Sequence, residues 1–171
     1  MDYSSTYSKL GDFGRELLNK TSLEEGLPFI SVYVKDVVGA KRCSIFINDL
    51  ETNELWTTLA DGVEKIVVPS DKGIVGQTIQ TRAAVIANDV YANPNFLPDI
   101  DEETGYKTQN IITTPIFNSQ KEVLGVLELL NKDGGFDKDD VKFMKFFAHY
   151  VSGFLELINM YKDIKKHHTK S

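Results

Sequence analysis

Apolar positions at the head of the chain recur at three- and four-residue steps through Tyr3, Tyr7, Leu10, Phe13, Leu17 and Leu18, the spacing of one face of a helix. A second helix is predicted to open at Ser22 and run to about residue 38, because Ser22 and Glu25 stand at capping-box spacing. Pro28 lacks the N–H that a helix interior needs, so a first-turn position or a break is expected there. From Arg42 the period changes to that of a strand. Cys43, Ile45 and Ile47 share one face over 42–48, and Arg42, Ser44 and Phe46 share the other. A strand over 54–59 pairs back across Leu50-Glu51-Thr52-Asn53, and another over 64–68 stops at Pro69.

Residues 73–81 read as a short helix and 84–87 as a small strand. The polar crossing over 88–110 is too long for a plain connector, which predicts a functional loop carrying its own helix near 98–106. A last hairpin joins 111–117 to 123–130 across Asn118-Ser119-Gln120-Lys121, and the final helix is predicted over about 137–161. Its stripe of Phe143, Phe147, Tyr150, Phe154, Leu157 and Tyr161 is widened by Phe146, Val151, Leu155 and Ile158. That is broader than one sheet face requires, so part of it is expected to meet another helix, either the N-terminal one or that of a second subunit. His149, beside Tyr150, reads as packing.

Composition narrows the function classes. The 171 residues suit a single domain with a proper core, and 19 basic against 25 acidic residues give a net charge of -6, no footprint for nucleic acid or an anionic membrane. The local exception, Lys162, Lys165, Lys166, His167, His168 and Lys170, suits a helix C-terminus or a solvated tail. No apolar run is long enough to span a bilayer, and Met1-Asp2-Tyr3-Ser4 lacks the regions of a signal peptide, so a cytoplasmic location is expected. Cys43 is the one cysteine, which excludes an internal disulfide and a thiolate zinc cluster and reads as a buried inert thiol.

Catalytic and metal chemistry find little support. Two of the three histidines, His167 and His168, lie in the tail, and Gly134-Gly135 lacks the lysine and hydroxyl of a phosphate-binding loop. Asp99, Asp101, Glu102 and Glu103 lack the spacing and central glycine of a calcium loop. The chain is therefore expected not to be an enzyme, with no catalytic residue, no metal and no cofactor.

In Leu127-Glu128-Leu129-Leu130-Asn131-Lys132 an apolar strand stops at a polar pair, and after a glycine turn come Phe136 and Asp140. Asp140 falls in the first turn of the last helix, where the dipole favours an anion, so a bridge from Lys132 would clamp strand to helix. This run resembles the asparagine, lysine, phenylalanine, aspartate, glutamate signature of GAF domains from cyclic-nucleotide phosphodiesterases and related adenylyl cyclases, with Val141 in place of the last glutamate. Arg42-Cys43-Ser44-Ile45-Phe46, Gly73-Ile74-Val75-Gly76, Asn93-Pro94-Asn95-Phe96, Asp101, Thr104-Gly105-Tyr106-Lys107-Thr108, Pro115 and Gly125-Val126-Leu127-Glu128 follow the family's order over about a hundred residues. The resemblance implies an α/β (α+β) domain of three layers: a central antiparallel sheet, terminal helices on one face, and a ligand pocket under loops on the other. It divides the chain into an N-terminal helix over 1–20 that could serve dimerisation, a GAF domain over 21–160, and a basic tail over 161–171. The chain reads as a whole small protein or the leading part of a signalling protein such as a cyclase or phosphodiesterase.

A cyclic nucleotide offers an anionic phosphate, a polar purine edge and an apolar face. The helix opening at Gly73-Ile74-Val75-Gly76 presents free N–H groups that can hold a phosphate, although alone the segment reads equally as a glycine turn. The resemblance makes it the phosphate cradle and carries Ile74 and Val75 into the site. It also carries Ser44, Ala60 and Asp61 to the purine, where Asp61-Gly62 alone would be a simple turn. Asp101, Thr104 and Thr108 match lid positions. Leu97 replaces an aromatic residue, able to cover the ligand but not to stack on it. Glu128 is an acid in an apolar strand and must find a donor, which a purine N–H would supply. Asn131, Lys132, Phe136 and Asp140 are implied as a structural clamp behind the pocket. The expected ligand is cAMP or cGMP, in a homodimer joined through the terminal helices. The competing expectations are a dimerisation module with a degenerate pocket and a sensor of another small ligand.

Overall fold

Helical spacing at both ends of the chain and alternation between them sort into separate layers. The computed structural model describes residues 3–49, 51–57, 66–98 and 105–168. In chain order the elements are α1 (Tyr3–Leu17), α2 (Leu23–Val38), β1 (Ala40–Asp49), β2 (Glu54–Thr57), β3 (Ile66–Pro69), α3 (Gly73–Thr81), β4 (Val85–Ala87), a 3-10 turn (Val90–Ala92), β5 (Ile111–Phe117), β6 (Val123–Lys132) and α4 (Lys138–His168). Among the described residues six strands form one sheet in the order β3-β2-β1-β6-β5-β4, with every neighbouring pair antiparallel. The three-layer α/β fold expected from the sequence is the fold observed.

The inner face of the sheet, with Cys43, Ile45, Ile112, Ile116, Leu127 and Leu129, is covered by α1, α2 and α4. Phe13 of α1 is fully buried there and meets the rings of Phe29, Phe147 and Tyr150, each at 5.4 Å, and of Tyr33 at 4.9 Å. Burying such a side chain contributes about 1.5–3 kcal/mol. The broad stripe on α4 thus does meet α1 within one chain. Gly26 of α2 is needed for the approach of α4, since a Cβ there would stand 2.0 Å from Phe154 Cζ.

Four expectations change. The helix α2 runs unbroken through Pro28, which lies in its second turn. The fully buried Leu27 and Ile30 beside it and the cap from Glu25 N to Ser22 Oγ at 3.2 Å offset the roughly 3 kcal/mol that an interior proline costs. Pro69 belongs to β3, opposite Glu54, because β3 is an edge strand with an unpaired side. His149 is exposed and not part of the packing: two residues from the buried Phe147, it points about 200° away around the helix. The last helix continues through Lys162, Lys165 and Lys166 to His168. The helix expected near 98–106 falls largely outside the described residues, and of its end Gly105 and Tyr106 are not helical.

Candidate functional site

On the outer face, strand register sets a polar row into apolar surroundings. Ser44 on β1 stands opposite Glu128 on β6, and Glu128 stands opposite Thr113 on β5. The Thr113 and Thr78 hydroxyl oxygens lie 2.5 Å apart, and Thr78 donates to the Ile74 carbonyl at 2.8 Å. A hydroxyl has one proton, so Thr113 is the donor in that pair and the row continues into α3. Phe46, Leu55, Val75 and Val126 form an apolar wall on one side, and Ile74, Ala87, Val90 and Ile111 on the other. The adjacent Ile74 and Val75 therefore send their side chains to opposite walls, and what they can offer a ligand is backbone N–H.

The start of α3 is shaped for close approach. Its N-cap, Lys72, supplies no side-chain acceptor, and the first turn closes with Gly76 N donating to Lys72 O at 2.9 Å. Gly73 adopts φ +71, a left-handed conformation that suits glycine, and Leu97 Cδ1 lies 3.2 Å from where its Cβ would be. Leu97, partly exposed, thus sits over the helix end. The segment that carries it is held by Asn95 Nδ2 donating to Gln77 Oε1 at 3.2 Å and by Phe96 packing into the wall that contains Ile74.

Behind this, Asn131 ties the sheet to the segment that precedes β5. Its Oδ1 accepts from Gln109 N at 2.7 Å and Asn110 N at 3.3 Å, and its Nδ2 donates to the Tyr106 hydroxyl and to Lys107 O, both at 2.9 Å. Asn110 reciprocates by accepting from Lys132 N at 2.8 Å and donating to Lys132 O at 3.0 Å. Arg42 stacks its guanidinium 3.6 Å from the centre of the Tyr106 ring. Thr108, on the segment so held, is buried.

Lys132 Nζ donates to Asp140 Oδ1 at 2.7 Å, joining the end of β6 to the first turn of α4. The other Asp140 oxygen accepts from Asp137 N at 2.9 Å, while Asp137 Oδ1 accepts from Asp140 N at 3.1 Å and Asp139 N at 2.9 Å. The Asp140 N–H, with lesser help from Asp139 N–H and the Lys132 charge, holds the Asp137 carboxyl below the usual carboxylate range. Phe136 is buried in the inner core, and its backbone N–H and carbonyl are bracketed by the Asn88 carboxamide at 2.8 Å and 3.1 Å. Val141, in the place of the signature's last glutamate, packs against that core.

Ser44, Ile74, Val75, Leu97 and Glu128 are thus on or over the outer face, Thr108 is buried in the segment that Asn131 holds, and Ala60, Asp61, Asp101 and Thr104 lie outside the described residues. Neither Thr108 nor Glu128 is without a partner in the chain. The acids Asp99, Asp101, Glu102 and Glu103 also lie outside the described residues, among which no group of three or more His, Cys, Asp or Glu could hold a metal. Among the described residues no helix is long and apolar enough to cross a membrane.

The sequence reading missed three hydroxyls: Thr78 and Thr113, which extend the row, and Thr57. Thr57 pairs with Phe46 across the strands, is 1% exposed, and has no hydrogen-bond partner for its hydroxyl among the described residues. Alternation from Leu55 through Thr57 was the signal that placed it on this face.

The family model of the GAF domain matches residues 22–155. The chain is similar to the dual 3′,5′-cyclic-AMP and -GMP phosphodiesterase 11A of Takifugu rubripes, 27% identical over 180 residues that take in 94% of this chain and 20% of that protein. It is also similar to the cGMP-specific 3′,5′-cyclic phosphodiesterase of Drosophila virilis, 35% identical over 150 residues, 77% of this chain and 17% of that protein. The chain thus spans a fifth or less of the length of these curated relatives. Among solved structures, the GAF domain of a phosphoenolpyruvate-protein phosphotransferase from Coxiella burnetii superposes with a TM-score of 0.82 at 18% identity, over 95% of this chain and 99% of that one. A free methionine-R-sulfoxide reductase from Neisseria meningitidis in complex with its substrate superposes with a TM-score of 0.74 at 18% identity, over 94% of each chain. At these identities the two structures establish the fold alone.

Proposed function

The chain belongs to the GAF domain family, and on that premise we propose that it is a regulatory module that binds a purine 3′,5′-cyclic monophosphate, cAMP or cGMP, without chemically changing it. The observation that carries this reading is the juxtaposition of the α3 N-terminus, which Lys72 leaves without a side-chain cap, with the polar row Ser44, Glu128 and Thr113 between two apolar walls. The backbone N–H groups of residues 73–75 are suited to the phosphate, the row to the purine edge, and the walls with Leu97 to the faces of the base. Glu128 and Thr108 already have partners in the chain, so the ligand exchanges those interactions for its own.

Ligand can regulate only through different affinity for two arrangements of the protein. The Asn131 and Asn110 carboxamides link the segment before β5 to β6, and Lys132 with Asp140 links β6 to α4, a continuous route from the site to the last helix. Tyr7, Phe146 and Leu157 are exposed on α1 and α4, which supports a homodimer through the terminal helices.

The test is calorimetric titration with cAMP and cGMP separately, on the chain and on Glu128→Ala and Thr108→Ala. Micromolar or tighter binding of one nucleotide, lost in both variants, supports the reading. Absence of heat and of a thermal shift with either nucleotide overturns it.

A further inference from the structure

A second concavity lies away from the cradle, between the C-terminal end of α3, β5 and α4. Two adjoining cavities there, of about 290 and 590 Å³, share Arg82, Phe117 and His149 among their lining residues. The cradle is at the other end of α3, and nine helical residues at 1.5 Å each separate the two ends by roughly 13 Å. The floor is apolar, with Ala84, Pro115, Phe117 and Ala148, and the rim is cationic, with Arg82, Lys121 and Lys145.

Among the described residues no carboxylate lies within ion-pair distance of Arg82, Lys121 or Lys145. The acid on the rim, Glu156, is engaged instead by the Ser119 N–H at 3.1 Å and hydroxyl at 3.3 Å. Positive groups without an ion-pair partner among the described residues, around an apolar concavity in a chain of net charge -6, suit an anionic ligand. The C-terminal end of α3 adds a partial negative charge, which Arg82 at the helix cap offsets.

The arrangement is held in place by the backbone. Arg82 and Lys121 both adopt left-handed conformations, φ 55 and φ 63, that side-chain-bearing residues rarely take. Arg82 Nη2 donates to the Lys121 carbonyl at 2.5 Å, and its guanidinium carbon lies 5.1 Å from the centre of the Phe117 ring. The planar guanidinium has five donors in all, so the bond to Lys121 leaves others for an anion.

We propose that this groove is a second ligand site, for a small organic anion that carries a phosphate or carboxylate on a compact apolar body. The charged group sits among Arg82, Lys121 and Lys145, with His149 at hand as a polar neighbour, and the body lies on Phe117, Pro115 and Ala148. Occupancy links α3 to α4 from the side opposite the cradle.

Phenyl phosphate serves as the probe, titrated calorimetrically into the whole chain, into Lys145→Ala and Arg82→Gln, and into the cradle-side variant Glu128→Ala. The expected result is saturable binding of one equivalent, at least tenfold weaker in Lys145→Ala and Arg82→Gln, unchanged in Glu128→Ala, and weaker for inorganic phosphate, which has no apolar body. Lys145 is exposed, so its variant keeps the melting temperature of the parent and separates loss of binding from loss of fold. No saturable heat overturns the proposal, as does binding that survives Lys145→Ala or disappears in Glu128→Ala, which would assign the probe to the cradle.

Discussion

Asn131, in a left-handed conformation with φ 61 at the end of β6, donates through its carboxamide to the hydroxyl of Tyr106 at 2.9 Å. The same side chain bonds Lys107 O, Gln109 N and Asn110 N, so one residue fixes the course of the chain into β5. Tyr106 in turn lies under Arg42 of β1, which closes a loop of contacts from β1 through this segment to β6.

Asn131→Ala removes both halves of this set and puts a Cβ-bearing residue without a local partner into the left-handed region. With about 1 kcal/mol for each hydrogen bond lost, destabilisation of about 2–4 kcal/mol is expected. Asn131→Asp keeps the acceptor for Gln109 and Asn110 but loses the donor, and is expected to fall between alanine and the parent. Denaturant titration of the three proteins checks the order.

Asp140→Ala leaves Lys132, a partly buried cation, without its partner and removes half of the reciprocal cap at the start of α4. Destabilisation of about 3 kcal/mol is expected, with weaker nucleotide binding as an indirect effect. An unchanged melting temperature together with unchanged affinity would sink the reading of this pair as a clamp.

Thr57→Val exchanges a buried hydroxyl that has no partner among the described residues for a methyl group of similar shape. The unliganded protein is expected to gain about 1 kcal/mol, because an unsatisfied buried donor is costly. Its thermal midpoint, measured beside that of the parent, gives the sign. A loss of nucleotide affinity in the same variant would place the hydroxyl at the ligand.

Asp49 and Asp137 both have depressed pKa values, Asp49 chiefly through the Glu51 N–H and then that of Thr52, Asp137 chiefly through the Asp140 N–H. A carboxyl with a lower pKa in the folded state stabilises the fold above its unfolded value of about 3.9 and loses that contribution as pH falls through the folded value. Stability is therefore expected to be insensitive to these groups near neutral pH and to decline below about pH 4, with a shallower acid slope in Asp137→Asn. Denaturation midpoints measured down the acid range test it.

Much of the molecule is legible in its sequence. The limits of α3 and β5 were read correctly, and the Ser22 cap and the shared face of Cys43 and Ile45 follow from period and turn chemistry, while the order of layers came from the resemblance to GAF domains. Glu128 was picked out as a polar interruption in an apolar strand, a signal that needs no partner to be seen, whereas Ser44 was carried into the site by the resemblance. Pro28 and His149 were misread, since the first depends on how strongly neighbouring residues are buried and the second on its angle around a helix whose inward face is set by the sheet.

The sequence by itself determined the local geometry of this protein, because periodicity, caps and left-handed glycines act over a few residues of chain. Only the tertiary structure decided that Ser44, Glu128 and Thr113 form a row, that Thr78 reaches it from α3, and that Asn131 holds Tyr106. Those relationships are set by the register of strands far apart in the chain, where a slip of one residue turns every side chain to the other face. The groove of Arg82, Lys121 and Lys145 has the same origin, since its cations come from a helix end, a hairpin and the last helix, and only packing brings them together.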